Sequence, residues 1–283
     1  MPLTCAINLS EGRDPSALRE LADAAGRALL DLHADTEHHR SVLTLIGDED
    51  ALHRLLSVAL GRLCLDDHAG VHPRLGVVDV VPFVPLVLGA SRDDLARARL
   101  DEAVAARDAL AAWVADTFAV PCFLYGPEIG GGTRTLPDIR RHAFADLAPD
   151  LGPRAPHPSA GAVCVGARRA LVAYNVLLAT SDLALGRKIA ADLRSPEVRC
   201  LAFPLAAGVQ ISANLVAPWS VGPATFADAV ARRAAAANVT LCGSELVGLL
   251  PRAVLDDVPA ERWDALDLAP ERTLEARLAG VGA

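Results

Sequence analysis

The chain has 283 residues, 52% of them hydrophobic, and a formal net charge of -8, enough apolar material for one large core or two smaller ones. Its acidic balance lacks the clustered Lys and Arg that a phosphate backbone needs, so no nucleic-acid partner is expected. No run of about eighteen apolar residues is free of charge and Pro, so no membrane partner is expected either.

Strands and helices alternate from the start. Thr4–Leu9 reads as a short apolar strand. Asp14-Pro15 supplies an N-cap and an N1 proline, and Leu18, Leu21, Ala25 and Leu29 follow at helical spacing. Leu29–His33 and Val42–Gly47 read as strands joined by a polar turn. Asp48, Glu49 and Asp50 then place negative charge on the first turn of a helix whose apolar face is Leu52, Leu55, Leu56, Ala59 and Leu63. Val77–Leu86 is strand-like but interrupted by Pro82 and Pro85. A capping box, Ser91-x-x-Asp94, predicts a long helix reaching about Phe118, and Pro121–Tyr125 is the next strand. From about Pro127 to Pro158, glycines and prolines predict a long irregular segment.

The second half repeats the order. Ala170–Leu178 is a strand, Ser181–Arg194 a helix, Val198–Pro204 and Val209–Val216 strands around a Gly208 turn, and Thr225–Asn238 an Ala-rich helix. Val239–Leu250 is strand-like at its start. Both halves thus read β-α-β-β-α-β, the split unit of ferredoxin-like folds. The expected fold class is α/β (α+β): two ferredoxin-like sandwiches with a cleft between them, a default place for a small ligand.

Six cysteines at 5, 64, 122, 164, 200 and 242 form no C-x-x-C pair, which favours reduced, mostly buried thiols over a disulfide frame or a zinc site. No basic region followed by an apolar stretch opens the chain, so a cytoplasmic protein is expected.

Four features could carry chemistry. In His68-x-Gly-x-His72-Pro-Arg74-x-Gly76, a histidine that titrates near neutrality suits proton transfer, and Pro73 fixes its direction. The same residues also suit an ordinary solvent-facing loop. In the stretch Asp31 to Arg40, strict alternation would gather Asp31, His33, Asp35, Glu37 and His39 on one face, a possible metal set. A turn breaks that alternation, so no metal is expected, and a substrate-facing strand end remains. The stretch Pro158–Ala162 reads as a linker or as a backbone platform for a flat ligand. Gly126–Gly132 lacks the Gly-Lys-Ser/Thr of a phosphate loop. Asn214 and Glu245 are polar residues among strand residues, either structural or lining the cleft.

Together these pieces resemble the glutamate formiminotransferase family. Asn8-Leu9-Ser10-Glu11-Gly12 resembles its N-F-S-E-G, Arg40-Ser41-Val42 with Thr44 its N-R-T/S-V-x-T, and the stretch from His68 to Pro82 its H-x-G-E-H-P-R-M-G-x-x-D-V-x-P. Val120-Pro121 with Leu124-Tyr125-Gly126, and Leu136-Pro137-x-Ile139-Arg140, match V-P-x-x-L-Y-G and L-P-x-I-R. Pro149–Pro153, Gly166-Ala167-Arg168, Asn175, Asn214 and Gly243–Leu249 also align, so the likeness runs to about Pro251.

The resemblance implies transfer of a formimino group from formiminoglutamate to tetrahydrofolate as co-substrate, by a dimeric protein that binds folate between two α/β subdomains. It implies His72 as the acid–base residue, with His33 at the position of an acidic helper, and folate at Gly152–Gly161, including Gly152, Pro153, Arg154, His157, Ser159 and Gly161. His39, Arg40, Arg74 and Asn214 are the further binding candidates. The expected boundaries are 1–167 and 168–257 for the two subdomains and 258–283 for a tail with a short polar helix around Glu271–Leu278.

The departures from the family cluster near His72. His33 stands in place of the second Asp of D-V-D, Val71 in place of Glu, and His39 in place of the Asn before Arg. Ala160 replaces an aromatic, an expected loss of a stacking surface. Arg154 and His157 stand where small or apolar residues are common. These changes keep three further readings open: a diverged enzyme with another donor or acceptor, a protein that binds a folate-like ligand without catalysis, and non-folate acid–base or metal chemistry at His33, His39 and His72.

Overall fold

A computed structural model describes residues 2–66, 68–89 and 91–281. Its strands are β1 (Leu3–Leu9), β2 (Leu29–Asp35), β3 (Arg40–Ile46), β4 (Val78–Pro85), β5 (Cys122–Ile129), β6 (Gly132–Arg134), β7 (Val163–Ala167), β8 (Val172–Leu178), β9 (Val198–Leu205), β10 (Gly208–Leu215) and β11 (Leu241–Val247). Its helices are α1 (Pro15–Ala25), α2 (Glu49–Arg62), α3 (Arg92–Arg97), α4 (Asp101–Phe118), α5 (Leu136–His142), α6 (Leu183–Leu193), α7 (Pro223–Ala236), α8 (Arg252–Leu255) and α9 (Leu274–Val281).

The chain forms two α/β units, residues 1–86 with 99–168, and 87–98 with 169–283. The first holds a seven-stranded sheet in the order β2-β3-β1-β4-β7-β5-β6. Its first four strands are the split β-α-β-β-α-β unit, all antiparallel, and β7 and β5 extend it in parallel from β4. One face carries Ile7, Leu9, Leu43, Leu45, Val81 and Val165, buried with Leu21, Leu55 and Leu110 from α1, α2 and α4. On the opposite face Val80, Phe123 and Cys164 pack with Ile139 of α5.

Local chemistry explains the starts of the helices. Asp14 and Asp48 accept from N–H groups of the first turns of α1 and α2, and Pro15 takes N1. α1 stops at Ala25, and Leu29 opens β2 instead of closing the helical face. β4 runs through both prolines: its pairing with β1 lapses between Phe83 and Val80, where Pro82 has no N–H to donate.

The expected long helix from Ser91 is two. The Ser91–Asp94 capping box forms, but α3 ends at Arg97 and α4 begins at Asp101. Leu95 packs in the core of the second unit while Val104 and Leu110 pack in that of the first, so neighbouring turns serve different cores. The expected irregular segment also holds regular structure: Gly130-Gly131 turns β5 into β6, and Thr135 starts α5 with a capping box of its own.

The second unit has sheet order β11-β8-β10-β9, all antiparallel. With the connections β8-α6-β9-β10-α7-β11, this is again the ferredoxin-like split unit. Tyr174, Val176, Ile211 and Leu246 are buried with Ile189 of α6 and Phe226 of α7. In the tail, Val258, Leu266 and Leu268 join that core before α9 begins at Leu274, and residues 282–283 lie outside the described residues.

Candidate active site

The site begins with a charge that an apolar strand should not tolerate. Asp79 lies in Val77-Val78-Asp79-Val80-Val81 with no solvent exposure. Burying a carboxylate without partners costs far more than a fold can spare. Three partners come to it. Arg40 Nη1 from β3 and Arg140 Nη2 from α5 reach Oδ2 at 2.7 and 2.5 Å, and the Leu75 N–H donates to Oδ1 at 2.8 Å. Burial alone would raise the carboxyl, but Arg40 and Arg140 hold it well below the usual carboxylate range. One carboxylate between two guanidinium groups leaves a positive charge in surplus.

Arg40 is itself held in place. Its Nε and Nη2 donate to Asn8 Oδ1 at 3.2 and 2.9 Å, and Asn8 donates to the Ala6 carbonyl. The β1–β4 register slips at Asn8/Leu9, an irregularity of the kind that re-aims side chains beside sites. Asn8, Val42 and His33 share one cross-strand row, which puts His33 on the same sheet face as Asn8, half-buried on β2.

The segment around His72 lies over the turn between β2 and β3. Arg74 fastens it there. Its Nη2 donates to the carbonyls of His38 (2.9 Å) and His72 (2.7 Å), and its Nη1 to that of His39 (3.0 Å). A Cβ on Gly70 would stand 2.4 Å from the His38 carbonyl and 2.6 Å from Arg74 Nη2, so only glycine permits this approach. Burial and the charge of Arg40 lower the Arg74 pKa to about 10.

His72 is partly exposed, and its ring meets that of His38 edge-on at 5.8 Å. Its Nδ1 lies 2.8 Å from the Pro73 carbonyl oxygen, which can only accept. Nδ1 therefore carries a proton, and Nε2 is the ring's basic nitrogen. Burial first, then Arg40, push its pKa well below the ordinary histidine value. At neutral pH the ring is an uncharged base beside surplus positive charge.

His39 adopts the left-handed region, φ 49°, and its Nε2 lies 3.2 Å from Glu11 Oε1. Burial would raise Glu11, but the N–H groups of Asp14 and Arg13 and the His39 ring bring it below the usual range. Among the described residues, no three of His, Cys, Asp and Glu are placed to share a metal ion.

The stretch 152–161 divides in two. Its end is zipped onto the segment that leads from His72 to β4: His157 and Gly161 exchange N–H···O bonds at 2.9 Å, Gly161 bridges Gly76, and the Ala162 N–H donates to the Leu75 carbonyl. Ser159 accepts from the Leu65 N–H, and the Ala160 N–H donates to His157 Nδ1. Ala160 is 1% exposed and packs in the main core. Gly152, Pro153 and Arg154 are exposed, with Gly152 packed beside Val120 and Pro121. Asn214 lies in the second unit, exposed on β10.

The structure therefore gathers His72, His39, Arg40 and Arg74 and brings the 157–161 turn to the same segment. Asn8, Glu11, Asp79 and Arg140 appeared in the sequence only as members of motifs. Asp79 carried the readable signal, a lone acid in an apolar strand.

Residues 2–168 match the family described as the formiminotransferase domain, N-terminal subdomain. The chain belongs to the formiminotransferase family. It is 32% identical over 280 residues to the glutamate formimidoyltransferase of Streptococcus pyogenes serotype M1, covering 90% of each chain. It is 34% identical over 281 residues to the glutamate formimidoyltransferase of Thermoplasma acidophilum, covering 90% of this chain and 89% of that protein. With the formimidoyltransferase-cyclodeaminase of Sus scrofa the identity is 33% over 288 residues, 90% of this chain and 51% of that protein. These relatives are transferases by name, and this member of the formiminotransferase family is a transferase of the same kind. The family match ends at the residue where the first unit ends.

Proposed function

We propose that the protein moves a formimino group between an amino-acid donor of the formiminoglutamate type and tetrahydrofolate, with His72 as its acid–base group. The observation that carries this is a neutral imidazole beside unbalanced guanidinium charge. An anionic donor is drawn to Arg40, Arg74 and Arg140, which only Asp79 offsets among the groups described above. His72 Nε2 takes the N5 proton of the folate as the new C–N bond to the formimino carbon forms. It returns that proton to the glutamate nitrogen as the old C–N bond breaks. The fixed Nδ1–H···O=C bond keeps Nε2 as the working nitrogen throughout.

The folate supplies the amine that accepts the one-carbon unit. The 157–161 turn, with His157, Ser159 and Gly161, supports placing folate next to His72, and Gly152, Pro153 and Arg154 extend that surface. Asn214, whose position aligns with the family, stays a binding candidate. His33 shares the sheet face of Asn8 as a helper position. The working form in this reading is a cytoplasmic homodimer.

His33 and His39, imidazoles in place of a carboxylate and an amide, favour a second reading: the same folate chemistry with a different donor. One experiment separates the two. The protein is mixed with tetrahydrofolate and formiminoglutamate, and formimino-folate is followed by absorbance. Turnover supports the first reading. Tetrahydrofolate binding without turnover leaves the second, and no folate binding overturns both.

A further inference from the structure

Four histidines occupy one corner of the first unit, and the proposed chemistry gives His68 no task. Its ring lies flat on that of His39, with centroids 3.9 Å apart and planes 22° from parallel. Its Nε2 is 3.1 Å from the Ser10 carbonyl oxygen, which can only accept, so Nε2 carries the proton. Nδ1 is then the acceptor. Arg74 Nη1 lies within reach of both ring nitrogens, 2.8 Å from Nδ1 and 2.6 Å from Nε2, and with Nε2 donating to Ser10 it is Nδ1 that is left to accept from it. A neutral imidazole with its proton on Nε2 can donate to Ser10 and accept from Arg74 at Nδ1.

Arg74 in turn clasps the His72 segment to the β2–β3 turn. Its carbonyl acceptors on His38, His39 and His72 are all neutral, so none anchors the guanidinium by charge. We propose that His68 is a positioning residue: its neutral ring holds Arg74, and Arg74 holds the main chain at His72. Among the described residues, the charged and titratable groups facing His68 are Arg74 from its own loop and His39 from the β2–β3 turn, with Glu11 behind His39. Just past the end of β1, the Ser10 carbonyl faces its Nε2. Burial, then Arg74 and His39, keep the ring less basic than usual, so it is uncharged at neutral pH. In acid it gains a proton, loses its acceptor and repels Arg74.

The activity arm of the test rests on the proposed function, whereas the spectroscopic arm does not. Ring 15N spectra of the full chain should show His68 as the Nε2–H tautomer, titrating below pH ~6.5, with the Arg74 Nε–H resonance shifting in step. His68→Ala should lower kcat about tenfold or more while KM changes little, because a displaced reacting group costs rate more than binding. His68→Gln, whose amide can accept and donate in place of the ring, should restore most of that rate. It should also change the acid limb of kcat from second order to first order in protons. An Nδ1–H tautomer, or a titration that leaves Arg74 unmoved, overturns the proposal. So does a His68→Gln acid limb identical to wild type, a readout that does not require His68→Ala to fold. If the wild type transfers nothing from formiminoglutamate, the functional reading has failed, and the ring spectrum alone decides the role of His68.

Discussion

Arg40 Nη1 stands 2.7 Å from Oδ2 of Asp79, a carboxylate wholly out of water. Asp79→Asn would leave Arg40 and Arg140 without their counter-charge. Breaking a buried pair from one side costs about 3–5 kcal/mol, which denaturant unfolding at neutral pH would measure. The folded carboxyl titrates below its unfolded value of about 3.9. Its contribution is therefore complete above that pH and is lost as pH falls through the folded value. Asp79→Asn should flatten the acid side of the stability curve below about pH 4. An unchanged curve would show that the pair contributes nothing.

Removing one of the two cations on Asp79 should be felt at His72. Arg140→Gln cuts the surplus positive charge, so the His72 pKa should rise toward its ordinary value and the acid limb of kcat/KM should move to higher pH. His72→Ala should lower turnover about 10²–10⁴-fold at all pH values. Formimino transfer measured across a pH series checks both. Full activity in His72→Ala would remove the histidine from the chemistry.

Gly161 combines φ 71° with a Cβ position 2.1 Å from the Leu75 carbonyl oxygen, whereas Gly130, at φ 57°, has open space around it. Gly130→Ala should cost about 1 kcal/mol for the left-handed backbone alone. Gly161→Ala should cost on the order of 2–3 kcal/mol more, because the 157–161 turn must part from the segment between His72 and β4. Thermal unfolding of the two variants gives the difference. Equal losses would refute the tight packing at Gly161.

His39 holds a left-handed conformation that asparagine and glycine accept more readily than histidine. His39→Gly and His39→Ala both discard the ring and its contacts with Glu11 and His68. Their difference isolates the backbone, and His39→Gly should be the more stable by about 1 kcal/mol. A more stable His39→Ala would show that the turn relaxes out of this conformation.

Thiol chemistry should divide the cysteines. Cys64 and Cys242 are exposed and should react with a disulfide reagent at once. Cys5, Cys122, Cys164 and Cys200 are buried, and burial pushes Cys5, Cys122 and Cys200 up to about 12. They should react only after denaturant is added.

Much of this molecule was legible where local chemistry decides. Asp14 capped a helix, Ser91 opened one, and the two β-α-β-β-α-β runs appeared in their places. The misses share a different cause. Nothing local says that the chain leaves one core after Arg97 and enters another at Asp101; Leu95 and Val104 are equally apolar, and only long-range packing tells them apart. β7 went unread because Val163–Ala167 is short and apolar throughout, with no alternation to mark a strand buried on both faces. At the site, His72 and Arg74 were visible as a motif. The convergence of Arg40 and Arg140 on Asp79 was not, since those residues are 39 and 61 positions away from it.

β7 is the last strand of the first unit to be made, and it sits between β4 and β5 in the middle of the sheet. During synthesis, β4 and β5 must wait with bare edges until Val163–Ala167 leaves the ribosome. A nascent chain halted at residue 160 would carry two open strand borders, each able to capture a neighbour. The order of translation thus makes five residues near the close of the first unit the gatekeepers of its solubility.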